Sequence, residues 1–362
     1  MRETATAIGT GRAVDLALRE AGGGRMAGVR IAYEFGRQVH LVQFVRGTWL
    51  CTASVDAATG EVTGILDDGL RVPETPPPAH PGRAVTARIT CRTVRDITMD
   101  FDDRATAWVA TDAGVGVVRL RRDIGWTLTV QDHHTPGFGE VRHLAAVPGG
   151  VVAATAGGRV FRIDTVGRLC WSMPLPGTAS GLAVDGPGER VLVATGAGAV
   201  ELDARTGRFR DILGTTARVV AYHSRGERVV ATHRGSVSVT GTDGVVAWVW
   251  EQGERPERMW ARDGRVYLAG EGGLKEIVPG EGVVARWSSP GTAAAGHAVI
   301  AGAGVFTCSD GTMDRHDYAT AAYHGPVRGL PSCPDAAAEI EGEHRPWLLT
   351  GHRDGLLTAR PL

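Results

Sequence analysis

A short apolar run that ends at a small residue and leads into a glycine turn recurs along most of this 362-residue chain. The apolar runs of five copies end at Thr155, Thr195, Thr232, Gly270 and Cys308. The steps between these residues are 40, 37, 38 and 38, and the series extends to Gly351 after 43 residues and back to Thr111 after 44. The sequence therefore contains seven copies of one unit of about 40 residues.

Each copy contains about four short runs of alternating or continuous apolar residues, separated by glycine, aspartate or proline turn signals. Segments with the 3.6-residue period of a helix are missing between these runs. In one unit, strands a to d are predicted at RHLAAV, GVVAATA, RVFRID and LCWSMP. Four short strands repeated at this interval are typical of a β-propeller blade, and neighbouring blades must stack in a ring to cover their faces.

Two segments, FRIDTVGRLCW and ELDARTGRF, are close to the D-x-x-T-G-x-x-x-W core of quinoprotein-type repeats. On these residues the chain from 92 to 362 resembles PQQ-like and WD40-like β-propeller repeat proteins. The resemblance implies an all-β β-propeller. The seven copies predict seven blades with a short N-terminal β-rich extension, and eight blades are the alternative. We expect no cofactor, because the short blades lack the elaborate pocket that a quinone requires.

The repeats divide the chain into three regions. Residues 1–27 are predicted to be a flexible N-terminus or a short helix, and residues 28–82 to be a β-rich segment, or an extra blade, with a proline-rich linker. Residues 83–362 are predicted to form the propeller. Because the last unit stops after strand c, at GLLTARPL, we predict that AVTARITCR at residues 84–92 supplies its outermost strand.

Net charge, apolar run length and cysteine spacing limit the kinds of partner and compartment that the sequence predicts. The formal net charge of −1 disfavours nucleic acid, and apolar runs are too short to span a membrane. The five cysteines are scattered and lack zinc-ligand spacing, so we expect free thiols and a cytoplasmic protein. Of the 39 basic residues, Lys275 alone is a lysine, which indicates the codon composition of a high-GC, actinobacterial-type genome.

The turns between strands b and c, and the loops from d to the next a, are expected on one face around the channel. The motifs THRG and GHRDG place a His-Arg pair on two such turns. If they converge, the candidate catalytic residues are His233 and His352, as a proton-transfer pair, with Arg234 and Arg353 as an anion clamp. Solvated turns are the alternative. The other candidate ligand-binding residues on this face are Asp354, Asp112, Glu271, Asp310, His133 and His134.

Three further features receive structural interpretations. His133 and His134 in DHHT have metal-ligand chemistry, but adjacent strand residues point oppositely, so we assign no metal site. The acidic run DFDDR at residues 100–104 is expected to be the a-to-b turn of the first blade. Five tryptophans are expected in d strands, packed between blades, and they are Trp126, Trp171, Trp248, Trp250 and Trp287.

Two functions fit these sequence features. The first is a non-catalytic scaffold that binds a protein or peptide partner through its loop face. The alternative is a small-molecule enzyme, a lyase, cyclase or hydrolase, with its ligand at the mouth of the central channel. The inner strands HLAAVP, GLAVDG and HAVIAG predict a largely dry, apolar channel, which favours the scaffold.

Overall fold

The computed structural model describes residues 8–23, 25–34, 37–46, 49–71, 84–89, 93–122, 126–134, 138–213, 216–223, 226–251, 255–262, 264–270, 273–287, 297–309, 312–328, 330, 334–342 and 345–362. These residues form one α-helix and eight four-stranded antiparallel sheets. The all-β fold class is confirmed. Across the described residues, no helix has the length and hydrophobicity needed to cross a bilayer.

The N-terminal region forms a helix and the first sheet. Its elements are α1 (Thr10–Glu20), β1 (Arg25–Glu34), β2 (Arg37–Arg46), β3 (Trp49–Asp56) and β4 (Val62–Arg71). Ala13 and Ala17, one helical turn apart, are buried against Val42 and Phe44 of the sheet. The short helix predicted near the N-terminus is therefore present, and its small residues let it lie close to the sheet.

The remaining strands form seven sheets, named blades 1 to 7 in chain order. They are preceded by β5 (Val85–Arg88). Blade 1 contains β6 (Val94–Met99), β7 (Thr106–Thr111), β8 (Gly114–Arg122) and β9 (Trp126–His134). Blade 2 contains β10 (Val141–Val147), β11 (Gly150–Thr155), β12 (Arg159–Asp164) and β13 (Leu169–Pro174). Blade 3 contains β14 (Ala179–Val184), β15 (Arg190–Thr195), β16 (Gly198–Asp203) and β17 (Phe209–Leu213).

The other four blades follow the same order. Blade 4 contains β18 (Val219–Tyr222), β19 (Arg228–Ala231), β20 (Ser236–Thr240) and β21 (Val246–Glu251). Blade 5 contains β22 (Pro256–Arg262), β23 (Arg265–Gly270), β24 (Gly273–Val278) and β25 (Gly282–Trp287). Blade 6 contains β26 (His297–Ala301), β27 (Gly304–Ser309), β28 (Thr312–Asp317) and β29 (Tyr323–Pro326). Blade 7 contains β30 (Ala336–Glu341), β31 (Pro346–Gly351), β32 (Leu356–Pro361) and β5.

The blades close into a ring through their first strands. Each first strand contacts the first strand of the next blade, from β6 round to β30, and β30 contacts β6. The first sheet lies outside this ring, where β1 contacts β25, the outermost strand of blade 5. The arrangement is a seven-bladed propeller with an N-terminal β extension.

The ring is latched by the segment that precedes blade 1. Strand β5 pairs with β32 in antiparallel register, with Thr86 opposite Thr358. The pairing continues beyond β5, since the amide of Ile89 donates to the carbonyl of Gly355 at 3.0 Å. The predicted latch is confirmed: the last blade is completed by a strand from the other end of the propeller sequence.

The tryptophans of the outermost strands pack as predicted. Trp171 of β13 donates from Nε1 to the carbonyl oxygen of Ala204 in blade 3, at 2.9 Å. Trp287 of β25 donates in the same way to Asp317 of blade 6, at 3.2 Å. These bonds satisfy the indole nitrogens while the rings fill the space between neighbouring blades.

The acidic run in blade 1 is the turn between β6 and β7, as predicted. Asp100 is buried, and its Oδ1 accepts hydrogen bonds from the amides of Asp102 and Asp103, at 2.9 Å each. Its Oδ2 accepts from the indole nitrogen of Trp108 at 2.6 Å. The carboxylate therefore holds the turn against the blade core.

The cysteines differ from the prediction at one position. Cys170 is an exposed free thiol, whereas Cys308 is disulfide-bonded. Cys91 and Cys333 lie outside the described residues. The prediction of free thiols throughout is wrong at Cys308, because pairing depends on distance in the fold rather than on spacing along the chain.

Candidate functional site

A central channel runs through the ring of first strands. It encloses about 1400 Å³ and is lined by residues from all seven blades. One end of the channel is formed by the beginnings of the first strands. In the antiparallel blades the turns between the second and third strands lie at that same end, so this mouth belongs to the predicted loop face.

Four first strands share an irregularity at their beginning. The register shifts between Val94 and Asp96 in β6, Val141 and His143 in β10, Ala179 and Gly181 in β14, and Pro256 and Arg258 in β22. Each shift leaves one extra residue, and these are Arg95, Arg142, Ser180 and Glu257. Neighbouring side chains of a regular strand point to opposite faces, but a bulge re-aims them. Both members of the pair Arg142 and His143 therefore line the channel.

The bulges gather a set of charged side chains at the mouth. We call this set the mouth cluster, and it consists of Arg95, Asp96, Glu140, Arg142, His143, Arg218, Glu257 and Arg258. Its members come from blades 1, 2, 4 and 5 or from the residues just before their first strands. Four guanidiniums against three carboxylates leave the cluster with one net positive charge when the imidazole is neutral.

One ion pair crosses the channel mouth. Arg258 Nη2 of blade 5 lies 2.5 Å from Asp96 Oδ1 of blade 1, although these blades are not neighbours in the ring. The other oxygen, Asp96 Oδ2, accepts from the amide of Leu144 in blade 2 at 2.9 Å. Asp96 is buried, and its hydrogen bonds hold Arg258 at the mouth.

The other arginines differ in how fully they are engaged. Arg218 Nη2 donates to Glu257 Oε2 at 2.6 Å, and Arg95 Nε lies 2.7 Å from Glu140 Oε1. Arg142 Nη2 is 3.6 Å from Glu140 Oε2 and, within the described parts of the chain, donates no hydrogen bond. Its side chain is 48% exposed. The Arg142 guanidinium therefore has donors available to a ligand.

His143 is a half-buried imidazole on the channel wall. Burial lowers the pKa of His143 to about 4; nearby Asp96 opposes this shift, while Arg258, Arg142 and Arg218 reinforce it. The imidazole is therefore neutral at neutral pH. A group able to accept a proton thus stands beside groups able to hold an anion.

The two His-Arg turns do not converge in the structure. His233 is exposed and lines the channel, with Arg234 exposed beside it. His352 is buried and is not part of the channel wall; its Nε2 is 3.3 Å from Thr350 Oγ1, and burial lowers its pKa. The exposed Arg353 donates from Nε to Asp335 at 2.9 Å.

The remaining predicted site residues lie apart from the mouth cluster or outside the described residues. Asp354 pairs with Arg88 of the latch strand at 3.3 Å, and Asp112 is half-buried on its turn. Glu271 and Asp310 are not among the described residues, and the same holds for the side chains of His133 and His134, whose backbone belongs to β9. Their functional roles stay predictions. The described residues contain no group of three or more His, Cys, Asp or Glu arranged to hold a metal ion.

The expectation of a largely apolar channel holds for the inner strands, from which Leu144, Leu182 and Ile300 line the wall, but it does not hold for the mouth. The channel is lined by the mouth cluster at one end and also by Arg262 and Glu341. The signal for the cluster is a polar pair near the start of strand a, in VRDI, VRHL and PERM. Of these residues, Arg258 is expected on the loop face from its place in EQGERPER, but strict alternation points only one residue of each pair into the channel, so the sequence does not predict the cluster.

Comparison with known proteins gives no match to a family model and no match to a curated sequence. The resemblance to PQQ-like and WD40-like repeats accordingly stays a prediction. The interpretation of the mouth cluster is based on its own geometry and chemistry.

Proposed function

We propose that this protein is a non-catalytic recognition module that binds a protein or peptide partner on its loop face, with the mouth cluster receiving an acidic group of the partner. The observation that carries the proposal is the set of four arginines at one channel mouth. Among the described residues, Arg142 has guanidinium donors that are not engaged in hydrogen bonds. A guanidinium binds a carboxylate through two parallel hydrogen bonds, which gives orientation as well as affinity.

The size of the channel favours a partner segment over a small ion. A cavity of about 1400 Å³ exceeds the roughly 300–1000 Å³ of ordinary small-molecule pockets. The carboxylates of the cluster bind its arginines weakly enough to be exchanged, because Arg95 and Arg142 are 41% and 48% exposed. An acidic side chain that enters from the loop face meets these exposed guanidiniums first.

A second candidate is a small-molecule enzyme of the lyase, cyclase or hydrolase class with its site at this mouth. The observation that favours it is the neutral imidazole of His143 beside three arginines. Such a site has a proton acceptor and an anion-binding group in one cavity. The ligand is then a small carboxylate rather than a peptide.

The other partner proposals follow from charge. A net charge of −1 disfavours binding to nucleic acid or to an anionic membrane. A cytoplasmic location stays a proposal, and the disulfide at Cys308 counts against it, since cytosolic thiols are kept reduced.

The proposal is tested with a fluorescein-labelled hexaglutamate peptide, followed by fluorescence anisotropy. We expect salt-sensitive binding that falls about tenfold in Arg142→Gln, because one charge-assisted interaction is worth about 1.5 kcal/mol. Arg121→Gln, at an exposed arginine of β8, is the matched control and leaves binding unchanged.

Two results discriminate between the candidates. Absence of hexaglutamate binding, or equal loss in Arg142→Gln and Arg121→Gln, refutes recognition at the mouth cluster. If free glutamate displaces the labelled peptide as well as unlabelled hexaglutamate does at equal carboxylate concentration, the peptide chain adds no affinity. That result favours the small-molecule candidate.

A further inference from the structure

His143 occupies a position defined by charged groups from four strands or their flanks. The groups that face it are Asp96 of β6, Arg142 of its own strand, Arg218 just before β18, and Arg258 of β22. The bulge at Arg142 brings the imidazole to the channel wall. Within the described part of the chain, neither ring nitrogen has a hydrogen-bond partner among these groups or any others.

Among the described residues, Asp96 is the carboxylate whose charge acts on His143, and it is already engaged. Asp96 Oδ1 accepts from Arg258 and from the amide of Ile97, and Oδ2 accepts from the amide of Leu144. These bonds hold the carboxylate toward the ring wall and toward Arg258. A protonated His143 therefore has no hydrogen-bond acceptor among the described residues of the free protein, and it faces three guanidiniums of the same charge.

Resting on the proposed function, we propose that the acidic group of the partner is a carboxylate bound between Arg142, Arg218 and Arg258, and that its binding is coupled to uptake of a proton by His143. The proton comes from solvent and forms a new N–H bond on the ring. The carboxylate stays ionised and accepts from that N–H. One negative charge and one positive charge enter together, so the net charge of the site is preserved.

Two effects of the ligand drive the uptake. The carboxylate offsets the field of the guanidiniums, which is one cause of the low pKa of about 4 in the free protein. It also supplies the acceptor that the imidazolium lacks. Both effects favour the protonated ring only when the ligand is present, so the pKa of His143 rises on binding.

The linkage predicts the direction of the pH dependence. Between the free and the bound pKa of His143, the complex holds one proton more than the separate molecules. Affinity therefore rises as pH falls through this window, approaching about tenfold per pH unit at an uptake of one proton. The interpretation of His233 and His352 as the titrating pair predicts no such dependence on His143.

The experiment measures hexaglutamate binding between pH 8.0 and pH 5.5 at constant ionic strength. The peptide carboxyls stay largely ionised over this range, because the pKa of a glutamate side chain is about 4.3. Isothermal titration calorimetry in two buffers of different ionisation enthalpy counts the protons taken up. We expect affinity to rise as pH falls, with uptake of a proton by the wild-type protein.

Two variants assign the proton. His143→Gln keeps a hydrogen-bonding side chain that cannot take up a proton, so we expect the pH dependence of binding and the proton uptake to be lost, whatever its affinity at pH 8.0. His233→Gln removes the exposed histidine of the same channel and is the matched control, with the pH dependence retained. Nitrogen chemical shifts of the His143 ring report the imidazolium in the complex directly.

The outcomes separate this inference from the function on which it rests. Binding without proton uptake, or a pH dependence that survives in His143→Gln, overturns the coupling and leaves recognition at the mouth intact. Absence of binding at every pH overturns the proposed function, and the coupling with it.

Discussion

Ile89 connects the latch strand to the core between blades 7 and 1. Its side chain is 2% exposed and packs with Val94, Trp347 and Leu357. It follows directly after β5, and its amide extends the pairing with blade 7 through Gly355. Truncation of this side chain therefore tests whether the latch contributes to stability through its packing.

The expected cost of Ile89→Ala follows from the atoms removed. Three buried carbon groups at about 0.8 kcal/mol each give about 2.4 kcal/mol of lost transfer free energy. The cavity left behind raises the loss in unfolding free energy to about 3 kcal/mol. For an m-value of about 3 kcal/mol/M, the urea midpoint falls by about 1 M.

The assay is urea unfolding followed by tryptophan fluorescence, since Trp347 and Trp126 belong to the same cluster. Thr86→Ala, at an exposed residue of β5, is the matched control and should change the unfolding free energy by less than about 0.5 kcal/mol. A loss of unfolding free energy below about 1 kcal/mol in Ile89→Ala would refute the reasoning, because burial of the three carbon groups alone is expected to contribute about 2.4 kcal/mol.

Three further predictions concern the blades. Gly207 has a φ of +69°, and a Cβ there would lie 2.7 Å from the Trp171 ring. Gly207→Ala should therefore lower the free energy of unfolding in urea by about 1–2 kcal/mol. Gly196→Ala, where a Cβ meets open space, is the control and should leave it unchanged. The hydrogen bond from Arg210 lowers the pKa of Asp203 to about 2. The stabilisation of the fold by ionised Asp203 is therefore complete above about pH 4 and is lost as pH falls toward 2. Asp203→Asn should make the melting temperature less dependent on pH over that range, and an unchanged pH dependence contradicts this. Arg228 is buried and pairs with Asp211 at 2.5 Å and with buried Glu201 at 3.7 Å. Arg228→Ala should therefore lower the free energy of unfolding in urea by about 3 kcal/mol. Arg208→Ala, at an exposed arginine, is the control and should change it very little.

The repeat made the architecture predictable because its signals are local. Apart from the latch strand β5, each blade is built from hairpins between neighbouring strands, and the turn glycines and apolar runs that specify a hairpin lie within a few residues of one another. The latch was also predictable, since a final unit that stops after strand c leaves a strand position to be filled. AVTARITCR, just before the first complete blade, has the alternating pattern of a strand, and β5 lies within it.

The candidate site was not predictable in the same way, because it depends on contacts between distant parts of the chain. The sequence predicted four-stranded units in chain order and placed His233 on the loop face, but it left seven and eight blades as alternatives. It could not show that bulges turn Arg142 and His143 together into the channel, or that Arg258 reaches Asp96 across a ring in which 162 residues separate them. It likewise could not show that His352 is buried while His233 is exposed, since the same His-Arg pair meets different neighbours on the two turns. Local backbone preference is a property of short segments, whereas burial, ion pairing and pKa depend on what the closed ring brings together.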